Sequence, residues 1–233
     1  MKLWNTMLEI AQGWSTEAIC IRLFWALLVG TLIGIDREMK NRSAGIKTHV
    51  LVCIGAALVM MTSQYIQVTF PYAKADMNRI GAQVISGVGF LGVGTIIVTG
   101  KNQVRGLTTA AGLWACACCG LAIGIGFIEG TLIALIFIMF TLKVLNLLDL
   151  RIHKNAKVID IYLEFDSNKA VRAFTEDMHR LNVKISDFEL SKSQIKGEGP
   201  SAVICLMVED RKLRPVMLDT LRAMEYIRYA EEL

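Results

Sequence analysis

Before residue 150 the sequence holds five long apolar stretches: Ile19 to Ile35, Thr48 to Ile66, Ile80 to Val98, Leu107 to Gly126 and Phe127 to Leu148. About 20 mostly apolar residues are needed for a helix to cross a hydrocarbon core about 30 Å thick, and each stretch comes near that length. Inside a bilayer the backbone has no water to bond with, which confines such stretches to helices. All three prolines, Pro71, Pro200 and Pro215, fall outside them, as unbroken helices require. The softest boundary is between the fourth and fifth, where "GIGFIEG" alone intervenes. Because the first apolar run starts near residue 18, with no basic flank before it and no small-residue cleavage site after it, it reads as an anchor that is kept.

Charge divides the chain in the same place. Residues 1–157 carry 14 Lys/Arg against 7 Asp/Glu, and 158–233 carry 11 against 14, so the overall +4 is +7 in front and −3 behind. The expected organisation is a transmembrane domain over 1–150, a basic linker at 151–157 and a cytoplasmic domain over 158–233. Arg37, Lys40, Arg42, Lys47, Lys101, Arg105, Arg151, Lys154 and Lys157 lie in segments on one side of the alternation, against Lys2, Lys74 and Arg79 on the other. Positive charge resists translocation, so the amino terminus is expected outside and the carboxyl terminus in the cytoplasm.

The third stretch contains "SGVGFLGVG", with Gly87, Gly89 and Gly92 in a G-x-G-x-x-G pattern. A dinucleotide turn needs a strand before it, a helix opening at it and an acid about 20 residues on. The region near Leu113 reads "AGLWACACC" instead. The glycines suit helix packing, since in lipid helices associate through close approach at small residues. Gly81, Ala82, Ser86, Gly89 and Gly92 spread over one arc at 100° per residue, and Gln83, Gly87 and Gly94 fall on another. This predicts a central helix approached from two sides, with Gln83, Ser86 and Thr95 available for interhelical hydrogen bonds.

The first stretch carries Arg22, Ala26, Gly30, Gly34 and Glu38 at i+4 spacing, Gly30 and Gly34 forming a G-x-x-x-G. The stripe runs into Asp36, Arg37 and Glu38. These are read either as a solvated, topology-setting loop or as a polar cytoplasmic mouth built with Arg105, Thr108 and Thr109; the two threonines also suit capping of the fourth helix. Of six cysteines, Cys116, Cys118 and Cys119 form "CACC", but no second Cys or His pair at zinc spacing accompanies them. They read as small hydrophobes.

From Val158 the periodicity changes. "VIDIYLEF" alternates as a strand, "NKAVRAFTEDMHRL" is helical, "NVKISDFELS" and "SAVICLMVE" form a hairpin across "KSQIKGEGP", and "LRPVMLDTLRAME" is a helix followed by the strand "YIRYA". That order, βαββαβ, is the ferredoxin-like split unit.

The segments "LLVGTLIGIDRE", "RSAGIKTHVLVCIGAA", "RIGAQVISGVGFLGVGTII" and "VRGLTTAAGLW", in this order and spacing over residues 27 to 114, resemble the MgtC/SapB family of bacterial membrane proteins. The resemblance implies a plasma-membrane protein of about five spans, an ACT-type cytoplasmic tail that binds ligands or pairs with itself, and a part in growth at low magnesium and, in pathogens, virulence. Restraint of the F-type ATP synthase by contact within the membrane is the mechanism it brings with it. No nucleophile–base pair, metal triad or phosphate loop stands in its proper context, so neither an enzyme nor a cofactor is expected. The expected partners are the lipid bilayer, a second copy of the chain and another integral membrane protein, with no nucleic acid and an indirect link to Mg²⁺. The rival reading is a magnesium or proton transporter. It is weakened because the third and fourth stretches hold no ionisable side chain.

Overall fold

A computed structural model describes residues 2–72, 76–99, 103–148, 151, 158–181, 183–191, 199–207 and 213–233. The chain divides into two compact units, the first made of residues 1–99 and 103–146 and the second including 147–233. The expected basic linker at 151–157 lies, but for Arg151, outside the described residues.

The first unit opens with an amphipathic helix that the sequence reading did not include, α1 (Lys2–Gln12). It is too short to cross a bilayer. Leu8 and Ala11 are buried with Ile128, and Trp4 meets Trp25 edge-on with ring centres 5.9 Å apart. Ser15 then starts α2 (Thr16–Met39) by accepting a hydrogen bond from the Ala18 amide at 3.1 Å. There follow α3 (Ile46–Thr69), α4 (Met77–Val93), a two-residue hairpin of β1 (Ile97–Val98) and β2 (Val104–Arg105), α5 (Leu107–Gly124) and α6 (Ile128–Phe140). The last helix continues through a π-helical turn, Thr141–Leu145. Between α5 and α6, Gly126 turns the chain at φ +90°, a conformation that suits glycine.

Among the described residues, four helices are long and apolar enough to cross a membrane: Thr16–Met39, Ile46–Thr69, Leu107–Gly124 and Ile128–Leu148. The third expected span is shorter than the sequence suggested. It ends at Val93, not Val98, at 17 residues, or about 25 Å. Gly92 and Gly94 weaken the helix there, and the β-branched run Thr95, Ile96, Ile97, Val98 prefers extended backbone, which β1 takes up.

The central helix also differs from the expectation. It is α3, which packs against α2, α4 and α5. A Cβ on Gly30 would fall 2.7 Å from Val50 Cα, and one on Gly34 2.6 Å from Ile46 Cα. From the other side, a Cβ on Gly120 would lie 2.8 Å from Ala56 Cβ, and one on Gly124 2.9 Å from Ala57 Cα. Two G-x-x-x-G pairs therefore bring α2 and α5 into backbone contact with α3. Cys53, Cys116 and Cys119 are buried with Ala26, Val29, Ile33, Ala57 and Ile123 along these seams.

In the second unit β3 (Val158–Phe165), α7 (Asn168–Arg180), β4 (Lys184–Ser191), β5 (Ser201–Met207), α8 (Leu213–Arg222) and β6 (Ile227–Glu232) follow the βαββαβ order. The antiparallel sheet runs β4-β5-β3-β6. Ile159, Ile161, Leu163 and Phe165 of β3 alternate toward Ala170, Phe174 and Met178 of α7 and Met217 and Leu221 of α8, so both helices cover one face. The Tyr226 hydroxyl donates to Asp177 at 2.7 Å. Burial and that carboxylate push the phenol above its ordinary range.

Gly34→Ala and Gly120→Ala force α3 away from its neighbours and should each destabilise the first unit by about 1–3 kcal/mol. A Cβ on Gly87 meets nothing within 4 Å, so Gly87→Ala should be neutral or stabilising. Thermal unfolding of the three variants in detergent measures the contrast.

Candidate functional site

Both ends of α2 carry polar side chains into the packed interior. At one end Arg22 is fully buried. Its Nε donates to Ala11 O at 2.7 Å and its Nη2 to Gly13 O at 2.9 Å, both at the end of α1. Its Nη1 donates to Gly124 O at 2.7 Å, at the end of α5, and to Gln64 Oε1 on α3 at 2.6 Å. These acceptors are neutral. Two helix carboxyl ends converge on the guanidinium, and their partial negative charge balances it. A planar fork with five donors suits four separated acceptors as a lysine could not.

At the other end Asp36 and Arg37 are buried, 6% and 3% exposed. Arg37 donates through Nε to Asp36 Oδ2 at 3.0 Å and again through Nη2. Lys40 Nζ reaches Asp36 Oδ1 at 3.0 Å and donates to Leu142 O at 2.9 Å, tying α2 to the π-helical turn after α6. Glu38 is exposed, and its Oε2 accepts from the Ile46 amide at 3.1 Å. Gly45, at the start of α3, supplies no side-chain cap. The Glu38 carboxylate takes that part from one helix away, where the dipole favours it.

One turn into α3, His49 is fully buried. Its Nδ1 lies 2.9 Å from Gly45 O, and its backbone carbonyl accepts from Cys116 Sγ at 3.3 Å. Because a carbonyl only accepts, Nδ1 carries the proton and Nε2 is left as an acceptor.

The expected mouth is therefore assembled in part. Asp36, Arg37 and Glu38 act at the α2–α3 corner, joined by Lys40. Arg105 is exposed in the hairpin and donates to Gln103 Oε1 at 3.0 Å, away from the Asp36 pair. Thr109 is buried on α5 while Thr108 is exposed. Gly30 and Gly34 lie at the α2–α3 crossing. On α4 the glycines separate: Gly81 faces Met60 Sδ, 3.4 Å from where a Cβ would sit, and Gly92 faces Ala110 Cβ at 3.4 Å. Gly87 and Gly89 do not pack. A Cβ on either meets nothing within 4 Å, because the inward arc is already filled by Gly81, Val88 and Gly92. Gly94 sits in the turn closing the helix, over its own Leu91 carbonyl. Thr95 bonds back to Gly92 O at 2.8 Å rather than across to another helix. Gln83 and Ser86 are exposed. Ala82, Ser86, Gly89 and Val93, at i, i+4, i+7 and i+11, thus form an outward track of small residues ending in valine.

Four features had weak sequence signals or went unread. Arg22 stood within an apolar stretch but looked like a span end. Lys40 and His49 lay beside the motif. Gly120 and Gly124 repeat the spacing of Gly30 and Gly34 inside the "CACC" helix. Among the described residues, no three His, Cys, Asp or Glu side chains converge as a metal-holding group.

A family model described as the MgtC family matches residues 23–150. Protein MgtC of Brucella abortus strain 2308 is 33% identical over 196 residues, 80% of this chain and 79% of its own. Protein SapB of Bacillus subtilis strain 168 is 32% identical over 172 residues, 71% of this chain and 74% of its own. The Escherichia coli K12 protein named "Putative magnesium transporter YhiD" is 39% identical over 140 residues, 59% of this chain. The match spans 65% of the YhiD length. No solved structure matches.

Asp36→Asn strands the Arg37 guanidinium in the interior and should lower stability by about 3–5 kcal/mol, with much of it recovered in the Asp36→Asn, Arg37→Met double variant. Arg22→Lys keeps the charge but loses the fork, and should cost about 2 kcal/mol or more. Chemical denaturation of the purified protein in micelles reads both.

Proposed function

The chain belongs to the MgtC family, and from that premise we propose that it is a non-enzymatic regulator in the bacterial plasma membrane, acting by helix–helix contact with another integral membrane protein during adaptation to low magnesium. The observation that carries this reading is the outward face of α4. Gly87 and Gly89 open onto free space, Ala82 and Ser86 lie beside them, and Gln83 is exposed in the same half of the helix. Lipid gains nothing from such small side chains, whereas a partner helix gains close approach and a hydrogen bond worth about 0.6–2 kcal/mol. The F-type ATP synthase is the partner to test first. With the charge bias of the connections, the reading sets five spans, α2 to α6, with the amino terminus outside and the carboxyl terminus in the cytoplasm. The second unit is then an ACT-type module through which two copies pair.

A specific observation favours the second reading, transport of magnesium or protons. Charged and imidazole side chains, absent from α5 and limited on α4 to Arg79 in its first turn, are present on α2 and α3, where Arg22, Asp36, Arg37 and His49 are buried. Intramembrane groups of this kind mark pathways in carriers. Arg22 and Asp36 are, however, saturated by partners within the bundle, as structural groups are.

Ser86→Leu and Gly89→Leu fill open space, so they should leave unfolding unchanged while abolishing growth under magnesium limitation and co-purification of the partner. Full growth in both variants would refute the contact. Purified protein in liposomes carrying an internal magnesium or pH dye should show no flux; flux lost on Asp36→Asn would establish the carrier instead.

A further inference from the structure

His49 presents the most unusual polar group in the first unit. The side chain is fully buried, its Nδ1 proton is committed to Gly45 O, and its Nε2 has no hydrogen-bond partner among the described residues. Leaving a buried acceptor unmet costs about 1–3 kcal/mol. What Nε2 faces is Gly112 of α5. A Cβ there would lie 3.5 Å from Nε2, and no other atom outside its own helix comes within 4 Å of that point. The crossings of α3 at Gly30, Gly34, Gly120 and Gly124 are each tight enough to exclude a methyl group. Here the missing side chain leaves room for one small group in front of a lone pair.

We infer that this space is a binding site for a single hydrogen-bond donor, one water molecule, held between His49 Nε2 and α5. An internal water needs at least two polar partners. The second is Thr109, buried one turn before Gly112 on the same face of α5. Cys116, one turn beyond, is already occupied by the His49 carbonyl. The water donates to Nε2 and accepts from the Thr109 hydroxyl, linking α3 to α5 where backbone contact gives way. This site depends on neither reading of the function.

The test uses the full-length protein in liposomes, with [15N]histidine as the only label and His153→Gln and His179→Gln to leave His49 as the one signal. Water-edited solid-state NMR should show rapid magnetisation transfer from water to Nε2, and Thr109→Val should weaken it. Gly112→Ala puts a methyl group in the space and expels the water without replacing its bond. Gly112→Ser expels it but supplies a hydroxyl. Helix propensity alone ranks Ala above Ser, yet the Ser variant should melt about 2–4 °C above the Ala variant, with transfer lost in both. Absence of transfer in the unsubstituted protein overturns the inference, as does an Ala variant that melts at or above the Ser variant.

Discussion

Backbone contact around α3 is the constraint on which the first unit depends. Helices in lipid gain little from burying apolar side chains against one another, because the acyl chains are equally apolar. What remains is dispersion and polar contact, and both need the axes close together. Gly30 and Gly34 on α2, and Gly120 and Gly124 on α5, supply that approach from opposite sides, each where any Cβ would collide with the backbone or Cβ atoms of α3. Cys116 can reach the carbonyl of His49 because the helices are drawn so near.

The same closeness sets the terms for the charges. Arg22 and Asp36 are fourteen residues apart on α2, about 21 Å along the axis, so each works at a different end of the bundle. Each is stabilised differently. Arg22 is balanced by the carbonyl ends of α1 and α5 without a carboxylate, whereas Asp36 is neutralised by its neighbours Arg37 and Lys40. In both places the polar contacts also fix a chain segment, adding to the apolar packing that holds it. Arg22 gathers α1 and the end of α5, and Lys40 reaches the π-helical turn at Leu142.

Much of this was legible in the sequence, and what was not has definite causes. The apolar stretches, the βαββαβ tail and the G-x-x-x-G of α2 could all be read because each is a local pattern of period or spacing. In α4 small residues occupy both arcs, so composition could not say that Gly81 and Gly92 face inward while Gly87 and Gly89 face out; the identity of the neighbours decides that. Helix α1 escaped because eleven residues give no membrane-length signal. The early end of α4 was written in the run Thr95 to Val98, whose β-branched residues were counted as apolar length. Arg22 was the hardest, since its acceptors are carbonyls at the ends of helices remote in sequence, and no side-chain pattern announces a backbone acceptor.

Interior and exterior thus divide the labour within the first unit. Arg22, Asp36, Arg37 and His49 of α2 and α3 point into the bundle and, except for the Nε2 of His49, are met there by carbonyls, an amide oxygen or side chains of opposite charge. The outward face of α4 carries no ionisable group beyond Arg79 in its first turn, and it presents Gly87 and Gly89. A carrier needs its charged groups to exchange partners during a cycle, and the four bonds of Arg22 leave little freedom for that. A docking helix needs the reverse, a rigid bundle that holds one slim face in place. That is the sense in which buried charge and bare glycine belong to one design: the first holds α2, α3 and α5 as a fixed wall, and the second lets the helix resting on that wall be approached.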